Sequence, residues 1–182
     1  MILENEKIIF VHIIKTAGVS IEKYFGAGSH DHRNVIDYIE LLGGKEEFED
    51  YFSFTIVRNP WDKMVSQYFF NAHKWVPENT TFKQYIELFG AGRQISRFTP
   101  LHLPYIVDDE DNILVDYIGK FEALDDSMNH VCQKIGTSYH GMPHLNRSKR
   151  GDYRKYYDEE SVEIVRKMFK KEIEMFDYKF GA

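Results

Sequence analysis

The feature that most constrains this fold is a continuous apolar run that is followed directly by a turn containing a lysine. The run covers residues 8–14, and the turn after it, residues 15–20, reads Lys-Thr-Ala-Gly-Val-Ser and is called the Lys15 loop. Val19, Ile21, Tyr24 and Phe25 then continue the chain as an amphipathic helix. A buried strand that ends in such a turn and resumes as a helix directs backbone N–H groups and a lysine towards one place. This pattern predicts an anion site.

The turn is short because no glycine precedes Lys15. A Walker-type loop spreads glycines ahead of its lysine so that the backbone can wrap a chain of phosphates. Here residues 10–14 continue the strand pattern up to the lysine. The turn has room for about one phosphate-sized group, and a 5′-phosphosulfate fits it better than a triphosphate.

Length and composition predict one domain covering residues 1–182. The chain has 182 residues, 43% of them hydrophobic, which is enough for one sizeable core. No linker rich in Pro, Gly or Ser and no internal repeat divides it. We therefore expect a single folded domain.

Charge and cysteine content narrow the class of partner and the compartment. A formal net charge of -6 argues against general nucleic-acid binding, so an anion site has to be local. Cys132 is the single cysteine, in a helical stretch typical of a buried residue, so no disulfide framework exists. The sequence shows neither a signal-peptide pattern nor a membrane-spanning run. These features predict a cytoplasmic protein.

Strand and helix patterns alternate along the chain. The strand candidates are residues 7–13, 52–57 and 115–121. The helix candidates are residues 19–25, 35–42, 60–73, 82–89, 123–135 and 161–176. Alternation of this kind is typical of parallel βαβ units and predicts an α/β fold, with a three-layer parallel sheet covered by helices on both faces. Ligands bind such sheets at the carboxyl ends of the strands, where Lys15 is expected.

The second strand candidate also ends in a charged turn. Asn59 is suited to cap the following helix and Pro60 to its first position, so Arg58 is expected at the strand end. Ser66 falls on the same helical face as Asn59. We expect the arginine and the hydroxyl to converge beside the Lys15 loop. The alternative is an arginine paired with a surface carboxylate and a serine that faces solvent.

These segments carry a family resemblance that covers nearly the whole chain. The Lys15 loop resembles the 5′-phosphosulfate loop of sulfotransferases that use 3′-phosphoadenosine 5′-phosphosulfate (PAPS), and residues 58–68 resemble their 3′-phosphate element. The likeness continues through residues 115–122, 143–148 and 174–180. The chain looks like the carbohydrate O-sulfotransferase branch, in a compact form without a membrane anchor. Ile14 and Ala17 stand where proline and glycine are common in that family.

The resemblance implies a sulfotransferase-like fold with a P-loop-like nucleotide site. It implies in-line transfer of a sulfuryl group from PAPS to a hydroxyl, which leaves adenosine 3′,5′-bisphosphate and needs no metal if lysine and backbone donors neutralise the charge. Lys15 would stabilise the leaving phosphate, while Arg58 and Ser66 would hold the 3′-phosphate. The remaining cofactor-binding candidates are Thr16, Ala17, Gly18, Val19, Ser20, Lys149 and Arg150. The last two belong to a basic loop that is equally consistent with a solvated charge run.

A histidine is the candidate catalytic base. His30 and His32 follow the first helix candidate, and relatives of the branch that this chain resembles place a histidine there to remove the acceptor's proton. His32 is the first choice and His30 the second, because an unperturbed histidine titrates near neutrality, which suits a general base. Their spacing alone does not supply the further ligands that a metal site needs. His102, His144 and Glu122 are further options for the base.

Two functions from other classes remain open. A nucleotide kinase or NTPase would use the Lys15 loop for ATP and Asp116 for magnesium, although the missing glycines argue against it. A non-catalytic nucleotide-binding or adaptor domain would keep the anion contacts and would need no base.

The acceptor is expected to be a carbohydrate or a small molecule. Trp75, His102 and Tyr105 offer stacking faces and polar tips suited to a sugar, or else belong to the core. The net acidity favours a neutral or weakly charged acceptor over a highly sulfated glycan.

Overall fold

The structure, a computed structural model, describes residues 1–28, 31–93, 95–142 and 150–181. Within these ranges the chain forms a mixed α/β fold with four strands and eight α-helices. The strands are β1 (Ile2–Leu3), β2 (Ile8–Val11), β3 (Phe52–Val57) and β4 (Tyr117–Lys120). The helices are α1 (Gly18–Tyr24), α2 (Val35–Leu42), α3 (Lys45–Glu49), α4 (Pro60–Trp75), α5 (Phe82–Gly90), α6 (Leu124–Lys134), α7 (Glu159–Met168) and α8 (Lys170–Phe176). Short 3-10 turns cover Leu103–Tyr105, Phe121–Ala123 and Tyr153–Tyr156.

The four strands form one sheet in the order β1-β2-β3-β4. β2, β3 and β4 run parallel, with Val11 opposite Thr55 and Val57 opposite Lys120. β1 runs antiparallel to β2, so the expectation of an entirely parallel sheet is wrong at this edge. A strand of two residues is too short to show the alternation by which a strand is recognised in a sequence.

Most of the predicted elements are present with bounds within two residues of those expected. The main difference is the helix predicted over residues 161–176, which is two helices, α7 and α8. The backbone at Phe169 has φ −103° and ψ 20°, and this separates them. Helix α3 was not expected from the sequence, because five residues are too few to establish a helical period.

Two compact units can be distinguished, residues 1–57 with 102–146 and residues 58–101 with 147–182. The first contains the sheet. All four residues of β2 are buried, as expected for a strand of a parallel sheet. The Phe10 and Phe54 rings of neighbouring strands lie 4.9 Å apart, and Cys132 is buried as predicted.

The second unit is helical and is organised around α4. Asn59 caps this helix as predicted, since its Oδ1 accepts hydrogen bonds from the N–H groups of Trp61 and Asp62. Trp61 is buried and its Nε1 donates to the carbonyl of Val162 at 3.1 Å. These contacts fix the start of α4, the segment that carries Ser66.

Among the helices of the four described ranges, none combines the length and the apolar character that crossing a membrane requires.

Candidate functional site

The Lys15 loop leaves the carboxyl end of β2 with an unusual backbone. Lys15 and Ala17 have φ of 63° and 72°, in the left-handed region. For residues other than glycine this conformation costs about 1–2 kcal/mol each, so the surrounding structure has to hold it. Part of that support comes from buried Thr16, whose hydroxyl donates to the carbonyl of Ile13 at 2.9 Å. The half-buried Lys15 is thus carried by a fixed turn.

The hydrogen-bond donors of this loop are partly used within it. The Thr16 hydroxyl is bound to Ile13, and the N–H of Ser20 donates to the carbonyl of Ala17 at 2.9 Å. The N–H groups of Gly18 and Val19 precede the first bond within α1. An anion at this loop would therefore meet Gly18 and Val19 through their backbone and Ser20 through its hydroxyl.

A histidine and a glutamate that the sequence did not single out lie directly against this loop. His12 Nδ1 is 2.9 Å from Glu22 Oε1, and both side chains are almost completely buried. The His12 ring packs against Gly18 so closely that a Cβ on that glycine would lie 1.9 Å from Nε2. The pair therefore joins the end of β2 to α1 and fills the space beside the loop.

His32 joins the same network. Its Nδ1 is 3.0 Å from the carbonyl oxygen of His12, and the two rings are 4.3 Å apart. A carbonyl oxygen can only accept, so Nδ1 of His32 carries the proton. In the neutral ring this leaves Nε2 as the basic nitrogen. The sequence indicated His32 as the first-choice base, but it did not reveal what holds the ring.

The pairing of His12 with Glu22 could have been predicted from the sequence, because both are ionisable residues at positions expected to be buried. His12 is the one ionisable residue in the apolar run of residues 8–14, and Glu22 falls among the buried positions of α1. Ionisable groups are rarely buried without partners. A histidine and a carboxylate at the ends of one strand–loop–helix are therefore candidates for pairing.

Arg58 follows the last residue of β3 and is paired with a carboxylate. Its Nε and Nη2 lie 2.8 and 2.6 Å from Asp62 Oδ2. Nη2 of Arg150 lies 2.5 Å from Asp62 Oδ1. Arg58 is therefore paired with a carboxylate, as the alternative interpretation expected. Unlike a surface pair, however, this one has a buried arginine, and Asp62 also contacts a second guanidinium, that of Arg150.

The face of α4 that follows is unusually polar for a buried surface. Ser66 and Gln67 are buried, and Lys63 has no exposed surface. Burial lowers the pKa of Lys63 to about 7, with Arg58 acting in the same direction and the buried carboxylate of Glu172 opposing it. This unit gathers three groups that can carry positive charge, Arg58, Lys63 and Arg150, and two carboxylates, Asp62 and Glu172. A phosphate fits this donor set.

The other sequence candidates fall into three groups. His30, His144 and Lys149 lie outside the described residues. His102 and Tyr105 are buried, so the alternative that they belong to the core is correct for these two, and burial raises the pKa of Tyr105 to about 12.

Trp75 keeps an exposed ring at the end of α4. Glu122 lies in the turn directly after β4 and is exposed.

Asp116 lies at the wrong end of the sheet for a role beside Lys15. Its Oδ2 accepts from both the N–H and the hydroxyl of Ser53, each at 2.7 Å. Ser53 is at the amino end of β3, opposite Ile9, whereas the Lys15 loop leaves the carboxyl end of β2. This carboxylate joins two strands.

Comparison with known sequences defines the class of protein. Residues 1–179 match the model described as the Sulfotransferase family. The chain belongs to the sulfotransferase family, and the mixed α/β fold and the likeness to the carbohydrate branch are consistent with this. Membership supports sulfuryl transfer as the general activity.

A protein of Archaeoglobus fulgidus, described as an uncharacterized protein, is 29% identical over 114 residues. The aligned part covers 62% of this chain and 90% of that protein. This similarity adds a relative but no information on substrates.

Proposed function

We propose that the protein transfers a sulfuryl group from PAPS to a hydroxyl of a carbohydrate or small-molecule acceptor by in-line displacement. The observation that carries the proposal is the contact between His32 Nδ1 and the carbonyl of His12 at 3.0 Å. His12 is three residues before Lys15. A candidate base and a candidate phosphate-binding lysine therefore belong to the same loop region.

Lys15 is the central residue of the proposed P-loop-like site. PAPS, when bound, supplies the activated sulfuryl group and leaves as adenosine 3′,5′-bisphosphate. Lys15 binds the 5′-phosphosulfate oxygens and stabilises the negative charge that develops on the leaving phosphate. The N–H groups of Gly18 and Val19 and the hydroxyl of Ser20 supply further donors, while Thr16 and Ala17 shape the turn.

Arg58, Ser66 and Arg150 hold the 3′-phosphate in this proposal. Charge-assisted hydrogen bonds from arginine to phosphate are among the stronger polar contacts. Asp62, which contacts both guanidinium groups, keeps them oriented. Lys149, in the same basic segment of the sequence, stays a prediction.

His32 is the proposed base, and it removes the acceptor proton through Nε2. Nδ1 of His32 donates its proton to the His12 carbonyl, and the His12 ring is in turn held by the contact of its Nδ1 with Glu22 Oε1. These contacts support a defined orientation, which a general base needs. His30 remains the second choice.

The rival functions are less well supported. A kinase or NTPase would need a carboxylate for magnesium near the Lys15 loop, and Asp116 is bound to Ser53 at the amino end of β3. A non-catalytic adaptor would gain nothing from a His32 ring held in one tautomer.

The wider predictions rest on the sequence. We propose that residues 1–182 act as one sulfotransferase domain, and the family match across both units supports this. The cytoplasmic location and the absence of a nucleic-acid partner stay predictions.

A screen of neutral sugars and small hydroxylated molecules with ³⁵S-labelled PAPS tests the proposal. We expect the wild type to label at least one acceptor and Lys15→Ala to label none. Magnesium-dependent phosphate transfer from ATP, without binding of adenosine 3′,5′-bisphosphate, would contradict it.

A further inference from the structure

Lys63 carries a buried amine that has no role in the fold or in the reaction described above. It lies one turn inside α4 with no exposed surface, and within the described ranges its Nζ has no hydrogen-bond partner. Gln67, one turn further along the same helix, has an equally unpartnered Oε1 within those ranges. An unpaired buried polar group is costly and calls for an explanation.

Two charged groups act on Lys63, and one of them, Arg58, belongs to the element proposed to bind the 3′-phosphate. Arg58, directly before α4, disfavours a second positive charge, and Glu172 on α8 favours it. Burial is the largest effect and lowers the pKa of Lys63 to about 7. Near neutral pH the free protein therefore holds a mixture of ammonium and neutral amine at this residue.

We infer that Lys63 determines specificity for the 3′-phosphate by taking up a proton from solvent when that phosphate binds at Arg58 and Ser66. This inference rests on the proposed function. A phosphate dianion beside Arg58 cancels the charge that disfavours the ammonium form, and it adds a negative charge that attracts the proton. A nucleotide without a 3′-phosphate leaves the protonation of Lys63 largely unchanged.

Proton uptake is measurable without any acceptor. Calorimetric titration with adenosine 3′,5′-bisphosphate at pH 7.5, in buffers of different ionisation enthalpy, gives the number of protons exchanged. For the wild type we expect an uptake of about half a proton or more. AMP, which lacks the 3′-phosphate, should cause little uptake.

Lys63→Met removes the amine and keeps a long apolar chain in its place. We expect proton uptake to vanish, and the preference for adenosine 3′,5′-bisphosphate over AMP to fall by about three- to tenfold, because binding is no longer linked to the uptake of about half a proton or more. The matched control is Lys74→Met, an exposed lysine on the same helix, which should change neither quantity. If Lys63→Met does not fold, NMR of wild-type protein with labelled lysines follows the ionisation of Lys63 with and without nucleotide.

The outcomes separate this inference from the function on which it rests. Binding of adenosine 3′,5′-bisphosphate without proton uptake, or uptake that persists in Lys63→Met, would overturn the role of Lys63 alone. Failure of the folded wild type to bind adenosine 3′,5′-bisphosphate would overturn the proposed function and this inference with it. An ionisation of Lys63 that nucleotide does not move would also refute the role of Lys63.

Discussion

At the scale of single residues, Lys15 carries the greatest part of the proposed chemistry. Lys15→Ala should reduce turnover below a tenth of the wild-type value, because its charge acts mainly as the leaving phosphate develops. Stability should change little, since alanine meets the same left-handed backbone and the lysine is only half-buried. Turnover and thermal unfolding measure the two effects. Lys23→Ala, an exposed lysine on α1, is the matched control, and an equal loss of turnover there would remove the special role of Lys15.

Substitution of His32 should affect the chemical step and not the binding of nucleotide. His32→Ala should leave the dissociation constant for nucleotide nearly unchanged and slow single-turnover transfer by about a hundredfold or more, the lower end for a general base. The wild-type rate should rise with pH through one ionisation, which the variant should lack.

His140→Ala, an exposed histidine of the same unit, is the control for this measurement. If His30→Ala shows the loss expected of His32→Ala, the base is His30. If neither variant slows transfer, Glu122 at the end of β4 is the next residue to test.

Lys63 also makes stability depend on pH. Its pKa is about 7 in the folded protein and 10.5 when unperturbed, so between these values the unfolded chain binds more protons. The free energy of unfolding should therefore rise with pH from about 7 upwards, by at most about 1.4 kcal/mol per pH unit from this residue. Lys63→Met should lack this contribution, and its stability relative to wild type should be highest near pH 7 and decline towards pH 9. Denaturant unfolding at several pH values measures this, and parallel curves for the two proteins would mean that Lys63 is charged in the fold.

At the scale of elements, the strand–loop–helix that contains the Lys15 loop is the most constrained part of the fold. Gly18→Ala should destabilise the protein by about 1–3 kcal/mol, the range for overpacking a filled site, because the new Cβ would meet the His12 ring. Gly28→Ala is the control, since a Cβ there meets nothing within 4 Å. Chemical denaturation of both variants gives the comparison, and equal stabilities would show that the His12 ring can move aside.

The bounds of strands and helices were predicted well from the sequence where the hydrophobic pattern of the element extends over enough residues to show its period. β3 and α2 were predicted with their observed bounds, because a run of apolar and β-branched residues marks the buried β3 and an Asn34 cap marks the start of α2. The left-handed backbone at Lys15 and Ala17 was not predictable, since neither residue favours it. It follows from the contacts of the folded loop rather than from local preference.

At the scale of the whole molecule, the sequence predicted the alternation of strands and helices and the family. It did not predict the antiparallel β1, nor the buried partners that fix the candidate site. Asp62 was part of a motif, yet its contact with Arg150 joins residues 88 positions apart in the chain. The Glu22–His12 pair also depends on how β2 and α1 pack. Long-range pairing of this kind leaves no periodic signal in a single sequence.

The measurement that tests the central claim most directly is calorimetric comparison of three nucleotides, adenosine 3′,5′-bisphosphate, AMP and ATP, with and without magnesium. We expect adenosine 3′,5′-bisphosphate to bind best and independently of magnesium. Arg58→Ala should reduce its advantage over AMP by about ten- to a hundredfold, as loss of a charge-assisted contact to the 3′-phosphate predicts. Tighter binding of ATP with magnesium than of adenosine 3′,5′-bisphosphate, or equal losses for both adenosine phosphates in Arg58→Ala, would contradict the account.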